Sequence, residues 1–310
     1  MVCERCGKTE VIRLQQGGLC SSCFQRYFER KVYSTIRKHG LFTKHDRLCV
    51  ACSGGKDSVA ALHLVNKLAK KRRQDVFALS VDEGIDGYRD RQIDDMRSFC
   101  DANGIGYAVV SFREEYGHDI GELMEIARNK GMQTSRCALC GVLRRSILNR
   151  HAKRLGATRI IAGHNMDDEA QTVLMNLFKG GIELAARMGP STGAVRHSGF
   201  VPRVKPLYYC LEKETEAYAK LMGFRVLYDR CPYRESSYRA YVAGKLDEIE
   251  DEHAGTKASI ISNLMKILPL LKSHYSVGSI PECSSCGEPS KNPVCLTCRT
   301  LRDMGIRNAD

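Results

Sequence analysis

The run Leu48-Cys49-Val50-Ala51-Cys52-Ser53-Gly54-Gly55-Lys56-Asp57-Ser58-Val59-Ala60-Ala61-Leu62 constrains the fold more than any other stretch of the chain. A short apolar β-run reaches Ser53, two glycines follow, and an amphipathic helix begins near Asp57, so the local order is strand, tight loop, helix. In such a unit the loop N–H groups and the positive helix end converge on one point, which makes an anion site. Gly54 and Gly55 let the backbone approach a phosphate with no Cβ in the way. Lys56 adds a full positive charge, and Ser53 and Ser58 add hydroxyl donors. The spacing is not that of a Walker loop: no glycine stands five residues before the Gly-Lys pair, and Asp follows the lysine. The dinucleotide pattern G-x-G-x-x-G is absent as well. A plain glycine turn capped by Asp57 is the structural alternative and carries less weight.

The chain around this unit alternates strands and helices. Strands are expected at 48–53, 76–81, 107–112 and 159–162, with helices at 57–71, near 90–103, near 120–130, at 141–155 and running to about 178. Strands separated by helices imply a parallel sheet covered on both faces. Ligands of such sheets lie at the carboxyl ends of the strands, so the loops after Ser53, Val81 and Ala162 should line one cleft. The last of these opens as Gly163-His164-Asn165-Met166-Asp167-Asp168-Glu169. Acids at a helix start cap it, but three exceed what a cap needs. Asp168 is therefore assigned to Mg²⁺–ATP, with His164 and Asn165 shaping the turn. Beyond the core, residues 201–206 read as extended, 211–222 as a helix, 225–228 as a short strand, and 237–252 and 257–272 as helices.

Fifteen cysteines behind an N-terminus that does not read as a secretory signal point to metal ligation rather than disulfides, and to the cytoplasm. Two quartets stand at the ends: Cys3-x-x-Cys6 with Cys20-x-x-Cys23, and Cys283-x-x-Cys286 with Cys295-x-x-Cys298. Paired CxxC knuckles satisfy tetrahedral zinc, and four protein ligands leave no position for substrate, so both sites read as structural. A third CxxC, Cys137-Ala138-Leu139-Cys140, is placed at a helix start, where the dipole should lower the thiol pKa. Arg144 follows Cys140 by four and shares its face. One pair cannot complete a four-cysteine site, and Cys231, held before Pro232, is the candidate third thiol. Cys49, Cys52, Cys100 and Cys210 read as packing.

At 310 residues and 43% hydrophobic, the chain can bury a core, and no apolar run approaches a membrane span. Its formal charge is +12. Two four-thiolate zinc sites at about −2 each would leave roughly +8, so a polyanionic partner such as RNA is a fair inference. A helix over 24–39, with Phe24, Tyr27, Phe28, Val32 and Ile36 near one face and five cations on the others, reads as a connector; its basic side is either solvated or against RNA backbone.

The Ser-Gly-Gly-x-Asp-Ser loop after a strand resembles the PP-loop of ATP pyrophosphatases. Taken with both ribbons, Asp82-Glu83-Gly84-Ile85-Asp86-Gly87-Tyr88-Arg89, Cys137–Arg145, Gly163–Asp168 and Cys231-Pro232-Tyr233, nearly the whole chain resembles the tRNA 2-thiouridine synthetases. Within them it is similar to the wobble-uridine branch. The T-loop branch usually has Lys at the position of Arg144 and differs over residues 82–85. The resemblance implies an α/β PP-loop domain at 46–235, flanked by a zinc ribbon at 1–24 with a connector helix at 25–45, and by a helical segment at 236–278 with a second ribbon at 279–310. It implies that Ala51, Ser53, Gly54, Gly55, Lys56, Asp57, Ser58, Val81, Gly163 and Asp168 bind ATP and Mg²⁺. It further implies that Cys137, Cys140 and Cys231 hold a 4Fe-4S cluster by three ligands, leaving one iron open to the incoming sulfide. Arg144 cannot act as a base and should serve as a fixed positive charge. ATP would adenylate the uridine 2-oxygen, and sulfur would displace AMP. The implied partners are tRNA, a second copy of the chain, and a ubiquitin-like thiocarboxylate carrier or inorganic sulfide, with no membrane. A persulfide on Cys137 or Cys140, resolved by Cys231, is the alternative chemistry, and T-loop thiolation the alternative target. From another class, a basic RNA-binding module without catalysis leaves the intact phosphate loop unused.

Overall fold

The computed structural model describes residues 1–15, 17–193, 197–229, 231–233, 237–275 and 280–306. The expected boundaries at 235–236 and 278–279 and the last four residues lie outside these. A small antiparallel hairpin, β1 (Ile12–Leu14) and β2 (Gly17–Leu19), opens the chain and leads into α1 (Ser21–Lys38). The core then alternates as expected: β3 (Leu48–Ala51), α2 (Lys56–Arg72), β4 (Val76–Asp82), α3 (Arg89–Asn103), β5 (Gly106–Ser111), the short α4 (Phe112–Tyr116), α5 (Ile120–Asn129), α6 (Arg136–Arg154), β6 (Arg159–Ala162) and α7 (Met166–Phe178). There follow α8 (Ile182–Ala185), β7 (Arg203–Val204), α9 (Glu212–Leu221), α10 (Tyr238–Glu252), α11 (Thr256–Tyr275) and α12 (Leu296–Met304).

The sheet runs β5-β4-β3-β6-β7 with every pairing parallel. Side chains alternate across a strand, so β3 feeds two cores at once. Leu48 and Val50 join α1, α2 and α3 residues such as Phe28, Val59, Leu62 and Met96 on one face. Cys49 turns to the other, with Leu123 of α5 and Leu139, Leu143 and Ile147 of α6. A third group ties α7 to α10 and α11 through Ala170, Leu246, Ile261 and Leu264. Burial on both sides explains why β3 reads as a continuous apolar run.

Three sequence expectations change. The strand expected at 48–53 stops at Ala51, because the chain leaves the sheet to form the loop. The strand expected at 225–228 reduces to one parallel bridge, Gly55 with Leu227. The helix expected at 141–155 starts at Arg136, where Ser135 Oγ accepts the Ala138 N–H at 3.2 Å. Among the described residues no helix is long and apolar enough to cross a membrane.

Candidate active site

The loop between β3 and α2 has the conformation its glycines allow. Gly54 adopts φ +83°, and a Cβ there would fall 2.0 Å from the Gln92 carbonyl oxygen, so no other residue fits. Gly55 caps α2 in an extended conformation with no side chain on its first N–H groups, leaving them facing the cleft. Ser58 Oγ donates to Gly55 O at 2.9 Å and lies 3.2 Å from Ser53 Oγ. Gly163, just past β6, packs against the start of α2: a Cβ would meet Asp57 C and Ser58 N, both at 2.9 Å. The ends of β3 and β6 thus close on one point. Ala51, half-buried, ends β3; Val81, buried, lies near the end of β4.

Lys56 does not point freely into this cleft. Its Nζ lies 2.8 Å from Asp57 Oδ2 and 2.9 Å from Glu212 Oε1. Burial works against its charge, but the two carboxylates outweigh it and raise its pKa. Asp57 is raised chiefly by burial; Lys56 and Asn165 Nδ2, 3.0 Å from Oδ1, oppose the shift, and the Asp168 charge adds to it. A divalent cation would relieve that repulsion between two carboxylates, so the donor set fits Mg²⁺. The acids that seemed surplus to a helix cap now divide. Asp167 pairs with Lys257 and accepts the Glu212 N–H, and Glu169 pairs with Lys205, both pairs being buried. Asp168 forms a capping box with Asn165 and makes no ion pair among the described residues.

A second set of residues, given no individual role in the sequence reading, ties this loop to the cysteines. Arg89, 3% exposed, donates to the carbonyls of Ser53 and Val81, to Ser80 Oγ at 2.7 Å and to Gln92 Oε1 at 3.0 Å. Its Nε lies 2.8 Å from Glu83 Oε2, while Glu83 Oε1 lies 3.2 Å from Arg144. One buried carboxylate therefore joins the clamp on the phosphate loop to the arginine beside Cys140. The signal was present in the opposite charges of Glu83 and Arg89 right after a strand.

Cys137, Cys140 and Cys231 gather beside Arg144. Cys137 is exposed and its Sγ lies 3.5 Å from Tyr233 O; Cys140 and Cys231 are half-buried against the α5–α6 core. The expected lowering of the thiol pKa by the helix end does not occur at Cys140. Burial pushes it up to about 12 against the pull of Arg144, and Cys231 rises for the same reason. Desolvation outweighs the dipole there. Among the described residues, only the terminal quartets bring three or more such ligand atoms within 4.8 Å of one another. That spacing fits a single zinc ion in each, and Cys20 is held down to about 6 by hydrogen bonds from Ser22 and the Cys23 N–H. The internal trio stands wider than one ion requires, which fits a multi-iron cluster with one thiolate per iron. Cys49, Cys52, Cys100 and Cys210 are buried in the core, as packing residues should be.

Residues 24–246 match the PP-loop domain family. The chain is 32% identical to the tRNA 2-thiolation protein NcsA of Haloferax volcanii, over 98% of this chain and 99% of that one. It is 32% identical to the tRNA-5-methyluridine(54) 2-sulfurtransferase of Pyrococcus horikoshii, over 96% and 93%. Among solved structures it superposes on the U34-tRNA thiolase NcsA from Methanococcus maripaludis with its 4Fe-4S cluster, at a TM-score of 0.84 and 31% identity, covering 100% of this chain and 98% of that one. A phosphate loop clamped to a three-cysteine recess, carried on a fold shared end to end with these proteins, leaves one assignment: the chain belongs to the PP-loop family of tRNA 2-thiolation enzymes.

Proposed function

We propose that the chain thiolates the wobble uridine of tRNA, using ATP to activate the uridine 2-oxygen and sulfur to displace AMP. The 2-oxygen attacks the α-phosphate, pyrophosphate leaves, sulfur adds at C2, and AMP departs with the oxygen. The loop from Ser53 to Ser58, with Ala51 and Gly163 closing beside it and Val81 lining the cleft, cradles the polyphosphate at the α2 N-terminus. Lys56 exchanges Asp57 and Glu212 for phosphate oxygens, and Asp168 and Asp57 hold Mg²⁺. Cys137, Cys140 and Cys231 would hold a 4Fe-4S cluster, which when bound offers an iron without a protein ligand for the incoming sulfur. Arg144 stays charged at every working pH and neutralises the anion that develops on the activated base. Sulfide or a ubiquitin-like thiocarboxylate supplies the sulfur, and the enzyme works as a cytoplasmic homodimer.

The observation that carries the wobble assignment is the Glu83–Arg144 pair at 3.2 Å. The two features that favoured this branch in the sequence, Arg144 and the 82–85 loop, are thereby one structural unit. An anticodon loop can splay its first base into a cleft, whereas the T-loop uridine is packed in the tRNA elbow. The test is to incubate protein purified without oxygen with unmodified tRNA for lysine, ATP and sulfide, then digest the RNA and map the thiolated nucleoside. Sulfur in the anticodon fragment, with pyrophosphate released, is expected. Sulfur confined to the T-loop fragment overturns the position; an active protein free of iron overturns the cluster.

A further inference from the structure

We infer that Arg145, Arg203 and Arg239 form a phosphodiester site that grips the substrate RNA backbone beside the nucleotide being modified. The inference rests on the reading that the chain acts on tRNA. Four arginines near the cysteine recess lie within electrostatic range of one another, Arg145 feeling Arg144 and Arg239, and Arg203 feeling Arg145 and Arg144, and their counter-charges are unequal. Arg144 has Glu83. Arg145, one residue on, makes no ion pair and no side-chain hydrogen bond among the described residues. Its guanidinium folds back along α6 over Gly141, where a Cβ would come within 3.3 Å of it. Arg203, at the start of β7, uses one nitrogen on the Arg145 carbonyl at 2.8 Å. Arg239, in the first turn of α10, donates to Thr172 Oγ1 at 3.2 Å and to the Asp168 carbonyl, which anchors it to α7. The carboxylate in range of Arg203 is Glu288, and its two oxygens are already taken by Ser146 at 3.1 Å and Asn149 at 3.3 Å.

Three elements that the fold brings together thus each carry an arginine that makes no ion pair among the described residues, with Glu288 and Glu169 acting on Arg203 and Arg239 only from longer range. The cations feel one another: burial, then Arg145 and Arg144, hold Arg203 down at about 10, and burial with Arg144 and Arg239 disfavours the charge on Arg145. Like charges gathered where Arg203 and Arg239 are half-buried are costly unless an anion from outside neutralises them. Planar guanidiniums match the paired free oxygens of a phosphate. The ATP phosphates have their own cradle in the loop, Lys56 and the α2 end. The unpaired arginines lie instead on α6, β7 and α10, beyond Arg144. A strand whose base enters the cleft must carry its flanking phosphates past this wall, and contacts to them would set register without reading sequence.

The experiment measures the binding of an unmodified tRNA transcript by wild type, Arg145→Gln, Arg203→Gln and Arg239→Gln across a salt series, with ATP affinity measured separately without RNA. Each charge removed should weaken tRNA binding roughly tenfold at low salt and flatten the log–log salt slope by about 0.7. ATP affinity should stay at the wild-type value, and Arg203→Lys should recover part of the loss. Arg145 is exposed, so its variant carries the test if Arg203→Gln melts early. An unchanged salt slope in Arg145→Gln overturns the inference, as does a fall in ATP affinity with tRNA binding intact, which would make the cluster a pyrophosphate subsite. A wild type that thiolates tRNA while the variants bind it normally sinks this site and leaves the reaction standing.

Discussion

Lys56 shows how much of a residue's behaviour is local. Its charge and its place beside two glycines are visible in the sequence; its two anionic partners are not equally so. Asp57 is its neighbour, but Glu212 lies 156 positions on and reaches it only because α9 packs against α2. Lys56 is therefore a held charge, and under the proposed function phosphate oxygens would replace its carboxylates. Lys56→Ala should reduce ATP affinity by one to two orders of magnitude, the worth of a charge-assisted contact, and abolish pyrophosphate release. Isothermal titration and a pyrophosphate assay check this; wild-type turnover at saturating ATP would defeat the phosphate-loop reading. Gly163→Ala tests the same loop from its far side. Its Cβ has backbone rather than a flexible side chain in front of it, so the ends of β3 and β6 must move apart. Nucleotide affinity should fall about tenfold or more, with a stability loss of about 1–3 kcal/mol in a denaturant series. Glu83→Gln removes the charge shared by Arg89 and Arg144 inside a buried network, and should lower thiolation more than it lowers ATP affinity.

Among elements, α6 links the cysteines to the sheet, to α5 and to α12. It carries Cys137 and Cys140 near its start, then Arg144 and Arg145, then Ser146 and Asn149, which hold Glu288 of the C-terminal ribbon. Asn149 also receives the Val201 N–H and donates to Gly199 O, fixing the chain that leads into β7. The sequence placed β6 to the residue because Arg-Ile-Ile-Ala is short, β-branched and bounded by turn residues. It missed the start of α6 by five residues: Arg-Cys-Ala-Leu-Cys has no apolar period, and what caps the helix is the Ala138 N–H donated to Ser135 Oγ. The strand at 225–228 failed for the complementary reason, since Arg-Val-Leu-Tyr has one bridge, Leu227 to Gly55, and no ladder to join. Ser135→Ala should cost about 1 kcal/mol of stability. It should loosen the turn that carries both cysteines, seen as faster amide exchange at 136–140 while α6 beyond Leu143 stays protected. Uniform exchange along the helix would show that the cap is not what fixes that turn.

At the scale of the whole molecule the two ribbons look alike in sequence, four cysteines in two CxxC pairs each, yet they are built into the fold differently. In the N-terminal one Cys3, Cys20 and Cys23 belong to the same buried cluster as Leu14, Leu19, Phe24 and Phe28, and through α1 to Leu48 and Val50 of the sheet. In the C-terminal one Cys283, Cys295 and Cys298 form a separate small cluster, and the ribbon docks through Leu301 and Met304 of α12 and through Glu288. That difference is absent from the local pattern, because it depends on what lies against each knuckle in space. Structural zinc contributes folding energy directly, so losing it from a ribbon continuous with the core should be felt by the core. Cys20→Ser should therefore lower the main calorimetric transition by many degrees and take pyrophosphate release with it. Cys283→Ser should leave that transition within a few degrees of wild type and split off a small early one, as expected of a locally unfolding unit. Its effect on function should be selective: ATP binding is kept, while thiolation falls because Ser146 and Asn149 lose Glu288 and α6 loses a brace beside the cysteines. Equal shifts of the main transition in the two variants would mean that the C-terminal metal knuckle is as much part of the core as the N-terminal one.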